Sequence, residues 1–131
     1  MSLERPQPAG LPATRYAQVV VARGSRLVFV SGQVSVDDRG QIVAPGDFAG
    51  QARQAHLNLV AALSAAGATT DEIAKLTTYV VGYRPELLTA IRDARAAILG
   101  TGDSPASTLV GVEALASPDY LIEVEAYAVV E

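Results

Sequence analysis

The sequence predicts an α+β fold: one mixed sheet with two helices packed on one of its faces. Two observations carry this. β-Branched and aromatic runs at Tyr16–Ala22, Leu27–Val34, Lys75–Val81 and Leu121–Val130 read as strands. Between them lie two segments whose apolar residues recur at helical spacing. A chain of 131 residues without internal repeat or linker fits a single domain. Residues 1–13, with three prolines, read as an extended N-terminal lead-in of little fixed order, and residues 14–131 as the domain.

Each element has a local reason. Arg23-Gly24-Ser25-Arg26 reads as a hairpin turn between the first two strand runs. Asp37-Asp38-Arg39-Gly40 is a second turn, after which Gln41-Ile42-Val43 supplies a short strand. Asp47 is placed to cap a helix in which Phe48, Ala52, Ala55, Leu59, Ala62, Leu63 and Ala66 form the apolar stripe, and Gly67 stops it. Thr69 and Glu72 have capping-box spacing. Pro85 suits a first helical position ahead of the stripe Leu87, Leu88, Ile91, Ala94 and Ile98, which Gly100 closes. A Gly/Asp/Ser/Pro loop then leads to a strand over Ser107–Val112.

Composition removes much common chemistry. There is no cysteine, hence no thiol nucleophile, disulfide or thiolate metal site, and His56 is the one histidine. Net charge is −4 with basic residues scattered singly, which argues against nucleic acid as a partner. No apolar run is long enough for a membrane span and no secretory signal is visible, so the cytoplasm is the expected location. Val19–Val21, Leu27–Val30 and Tyr79–Val81 are apolar on both strand faces, the pattern of sheets covered on both sides. Two helices cover only one face, so self-association is expected.

Four ordered segments then stand out: Tyr16-Ala17-Gln18, Val30-Ser31-Gly32-Gln33-Val34, Gly46-Asp47-Phe48 with Gln51-Ala52-Arg53-Gln54, and Ile122-Glu123-Val124-Glu125-Ala126. Together with Asn58-Leu59 and Pro105-Ala106 they resemble the Rid (YjgF-type, reactive intermediate deaminase) family over roughly residues 14–130. The resemblance implies a chorismate-mutase-like fold and a homotrimer with small-molecule clefts between subunits. It also implies hydrolysis of reactive imines or enamines to keto compounds and ammonia, with no metal and no organic cofactor.

One position departs from that pattern. Where the deaminase branch carries a carboxylate-binding arginine directly after Pro-Ala, this chain has Ser107, and Leu109 replaces a frequent cysteine. A serine offers one neutral hydrogen bond in place of a bidentate, charged clamp. The second helix also lacks an asparagine near Ala90 or Ile91. Arg84 and Arg92 are alternative cations, although surface ion pairing accounts for both equally well.

By resemblance, Glu123 is the cleft carboxylate that guides water onto the imine carbon. Tyr16, Ser31, Gly32, Ser107 and Thr108 are the candidate ligand contacts. Glu123 and Glu125, two apart on a strand, share the face opposite Ile122, Val124 and Ala126, and a solvated strand face is the plainer reading of Glu125. His56 reads as a partly buried or surface histidine beside the apolar stripe of the first helix. The preferred function is a cofactor-free hydrolase or deaminase of an imine, enamine or related C–N metabolite other than a simple 2-imino acid. The alternative is a trimeric binding or regulatory protein without turnover. RNA cleavage, sometimes attributed to the family, fits the acidic balance poorly.

Overall fold

The structure is a computed structural model that describes residues 2–131. Its main sheet has four strands in the order β3-β6-β4-β5, where β3 is Arg26–Gln33, β4 is Ile73–Val81, β5 is Ala106–Val112 and β6 is Ile122–Val130. β6 runs antiparallel to both neighbours, and β4 and β5 run parallel. The parallel pair needs a crossover connection. Helix α2, Leu88–Leu99, provides it, entered through a single 3-10 turn at Pro85–Leu87. Helix α1, Phe48–Ala65, joins β3 to β4 and packs against α2, β3 and β6.

The helix start lies where the sequence puts it. Asp47 is extended, and its Oδ1 accepts from the Gly50 N–H at 3.1 Å, so the first orphan donors of α1 are met. The Thr69 N–H donates to Glu72 Oε1 at 2.8 Å, closing the expected capping box. Beneath the helices, Leu59, Leu63, Leu76, Val80, Ile122 and Val124 are fully buried and form the centre of the core.

Three expectations change. The Arg23–Arg26 segment does not close a hairpin between the first two runs. β2 is only Val21–Arg23, and it pairs with β1, Ser2–Glu4, in a separate two-stranded sheet. The physical reason lies at Gly24: a Cβ there would come within 2.8 Å of Val130 O, so the chain runs tightly against the end of β6 instead of folding back along β3. The lead-in is accordingly extended but tied down. Besides the β1 pairing, the Arg5 guanidinium donates to Ser104 O at 2.7 Å and lies 3.8 Å from Asp103. Of the short strand at 41–43, one bridge remains, Val36 to Ile42.

Two motif residues on α1 are structural clamps. Gln51, fully buried, donates to Ala44 O and Asp119 O and accepts from the Leu121 N–H at 3.0 Å, fastening the entry to β6. The Asn58 amide donates to Val34 O and Val36 O at 2.8 and 2.9 Å, holding the exit from β3.

The opposite sheet face is open. Leu27 and Phe29 are each 68% exposed and Tyr127 46%, with the Phe29 and Tyr127 rings edge to face at 5.2 Å. No helix of the described residues is long and apolar enough to cross a membrane.

Gln51→Leu keeps the side-chain volume but strands the Asp119 carbonyl and the Leu121 N–H. It should destabilise the fold by about 2–4 kcal/mol, read as a lower urea midpoint at unchanged slope.

Candidate functional site

The candidate residues fall into two groups on opposite faces of the sheet. The first lies on the open face. Between Val30 and Gln33 the β3–β6 register shifts, so Ser31 and Gly32 form a bulge against β6. Gly32 meets the Glu123 side chain so closely that a Cβ there would lie 2.7 Å from Glu123 Oε2 and overlap its Cδ. Glycine is therefore required for the carboxylate to lie against the β3 backbone. Ser31 is exposed beside it.

Electrostatics on this face favour a protonatable Glu123. Partial burial, and then the charge of Glu125, raise its pKa above the usual carboxylate range. Glu125 accepts a 2.5 Å hydrogen bond from the Tyr79 hydroxyl, and this bond pushes the phenol pKa up to about 12. Glu125 is thus occupied by a neighbour, whereas no hydrogen bond to Glu123 is formed among the described residues. Thr108 also faces this side, where its Oγ1 accepts from Lys75 Nζ at 2.7 Å.

The second group lies between α2 and β5. Ser107, one residue from Thr108, points toward the helices, as strand alternation requires. Tyr16 joins it because the Ala17 N–H donates to Pro105 O at 3.2 Å and Ala17 bridges Ala106 in parallel. Together they border a cavity of about 510 Å³ whose apolar wall includes Leu88, Ile91 and Leu109. Thus the structure brings Ser31, Gly32 and Glu123 together, and Tyr16 with Ser107. It joins neither set to the other within one protomer, and it parts Thr108 from Ser107.

Arg95 is the residue that motif reading missed. It projects from α2 into this cavity, with Nη1 3.4 Å from Ser107 Oγ and Nη2 3.4 Å from Thr78 Oγ1. Its Nε is buried and has no hydrogen-bond partner among the described residues. Burial, and then the charge of Arg92, lower its pKa from the ordinary value. Arg92 and Arg15 also line the cavity, and no carboxylate does among the described residues. Arg84 lies elsewhere, 3.9 Å from Glu86. A signal for Arg95 exists in the sequence: it follows Ile91 by four residues, on the edge of the stripe that faces the sheet.

His56 stands behind this cavity in the core. It is fully buried, not partly buried or at the surface as expected, because it lies on the core side of α1 with Ala52, Ala55 and Leu59; its Nδ1 bonds Ala52 O at 2.7 Å. Burial lowers its pKa to about 4; the bond to Ala52 opposes the shift and the charge of Arg95 adds to it. No group of three or more His, Cys, Asp or Glu among the described residues could hold a metal ion.

Comparison with known proteins accords with this architecture. Residues 7–130 match the family described as Endoribonuclease L-PSP. A RutC family protein of Pyrococcus horikoshii is 31% identical over 117 residues, covering 89% of this chain and 88% of its own. Among solved structures, the Rid-family protein YyfB of Yersinia pestis superposes with a TM-score of 0.91 at 33% identity, covering 98% of this chain and 99% of that one. A YjgF/YER057c/UK114 family member from Mycobacterium tuberculosis gives 0.65 at 30% identity, with 87% and 86% covered. The fold is that of a small α+β protein with two helices on a mixed sheet. The chain belongs to the Rid/YjgF family.

The lowered His56 pKa sets a pH dependence. An unfolded imidazole binds its proton below about pH 6.5, and the folded one below about 4. Between those values the unfolded state holds more protons, so stability is full above pH 6.5 and falls as the pH drops toward 4. From pH 7 to 4.5 the loss from this group should be about 2–3 kcal/mol. Urea midpoints of His56→Leu should be flatter by that amount across the same range.

Proposed function

We propose that the chain is a cofactor-free hydrolase of a reactive imine, enamine or related C–N compound other than a simple 2-imino acid, acting at clefts between the subunits of a homotrimer. The observation that carries the reading is Glu123, a half-buried carboxylate of raised pKa lying against the Gly32 backbone. In that setting Glu123 takes a proton from water as the oxygen adds to the imine carbon. It returns the proton to nitrogen to give the carbinolamine; the same carboxylate then moves the hydroxyl proton to nitrogen as the C=O bond forms and the C–N bond breaks, releasing ammonia and the keto compound. Gly32 and Ser31 line the approach from one subunit. Tyr16 and Ser107 of a second copy complete the cleft, a division that the opposite-face placement in one protomer supports. Thr108, bonded to Lys75, serves as a rim contact.

The open sheet face supports the assembly. Leu27, Phe29 and Tyr127 form an apolar patch beside Glu123's strand that another copy's sheet would cover. The same placement favours a second reading, a trimeric binding protein without turnover, should the copies bring Ser107 to the cleft and leave Glu123 outside it. RNA cleavage has less support: net charge is −4, and the one histidine is buried with Nδ1 engaged.

Light scattering coupled to gel filtration should give three times the 13.6 kDa protomer mass. Phe29→Glu should shift that mass downward. Imines that carry no carboxylate, generated in situ from primary amines by a flavin amine oxidase, provide the rate test. The protein should accelerate ammonia release, and Glu123→Gln should slow it at least about 100-fold with the trimer intact. Carboxamide-level activity equal to the natural protein's would remove Glu123 as the base, and binding without any ammonia release would favour the second reading.

A further inference from the structure

We propose that the cavity between α2 and β5 binds an organic carboxylate with a sizeable apolar body, and that Arg95 is the residue that selects for the negative charge. This names the ligand class for the Ser107 side of the cleft and so builds on the reading above. Its test scores binding alone, so its failure is distinguishable from a failure of hydrolysis.

Charge comes first. The chain carries net −4, yet three of its ten basic residues, Arg15, Arg92 and Arg95, converge on one cavity that no carboxylate lines among the described residues. Like charges placed together on a protein with an excess of acids lower the potential energy of an anion entering between them. Arg95 is the member best placed to use this. It is half-buried, and its contacts to the Ser107 and Thr78 hydroxyls are long and neutral, 3.4 Å each. Neither neutralises the guanidinium. They leave the guanidinium without a counter-charge and its Nε without a partner, and a planar fork takes a carboxylate through two parallel N–H donors.

Shape decides the rest of the ligand. A cavity of about 510 Å³ lies within the range of small-molecule sites and would be mostly empty around a three-carbon imino acid. Leu88, Ile91 and Leu109 supply an apolar wall beside the charges. A carboxylate joined to an apolar body of six or more carbons matches both halves. Serine at position 107 fits this arrangement. A larger cationic side chain there would crowd Arg95 and repel it, whereas the hydroxyl accepts from it.

The test uses 3-phenylpropanoate and its uncharged amide as probes, titrated calorimetrically into the full chain. The carboxylate should bind at least about tenfold tighter than the amide. Arg95→Met retains the aliphatic stem and should abolish that preference while leaving amide affinity within about twofold, which also shows the cavity intact. Ser107→Glu supplies an internal carboxylate to the same guanidinium, and should block the carboxylate probe even if the methionine variant fails to fold. Arg39→Met, on a turn that lines no part of the cavity, should change neither affinity. Equal binding of the two probes by the natural protein, no binding of either, or a carboxylate preference that survives Arg95→Met would overturn the proposal.

Discussion

Two helices lying on four strands can cover one face of the sheet and no more, and most of what this protein does is conditioned by that limit. The covered face holds the core, from Leu59 and Leu63 on α1 to Val124 at the centre of β6. The other face carries Leu27, Phe29 and Tyr127 at one end, and Glu123, Glu125 and Tyr79 at the other. Burying the apolar end against another copy would exclude water from the polar end as well. An interface of that kind would raise the pKa of Glu123 further, in the direction its partial burial already sets. Assembly and acid–base chemistry would then be two results of one uncovered surface.

β6 makes this coupling possible because it contributes to every part of the problem. It pairs with β3 and β4, its inward residues fill the core, and its outward glutamates face the open side. The Gln51 clamp fixes where β6 begins, and the bulge at Ser31-Gly32 fixes where Glu123 can lie. Register errors at either point would exchange inward and outward residues, placing carboxylates in the core. The amide of Gln51 and the missing side chain of Gly32 therefore protect the same alternation from its two sides.

Much of this was legible in the sequence, for identifiable reasons. Helix limits were readable because Asp47, Gly67, Pro85 and Gly100 act locally, through caps and backbone conformation. The faces of β6 were readable because alternation is strict from Ile122 to Ala126. The turn at Gly24 was misread because a Gly-Ser pair between strand runs is ambiguous. Only the tertiary approach to Val130 shows that the chain turns away toward β1. Arg95 escaped for a different reason. Motif comparison asks which residue occupies a given position, and at 107 the answer is serine. The guanidinium reaches the same space from another element, and only packing reveals that two positions share one volume.

The tie between Arg5 and the 103–104 loop has a practical side. That loop borders the arginine-lined cavity through Ser104, and β1 holds Arg5 in place by pairing with Val21–Arg23. Residues 2–5, which look dispensable in composition, act as a strut for one wall of a cavity about a hundred positions downstream. Expression tags or truncations placed there would disturb that wall without touching any residue of the core. Fusions are better carried at the other terminus whenever binding is to be measured.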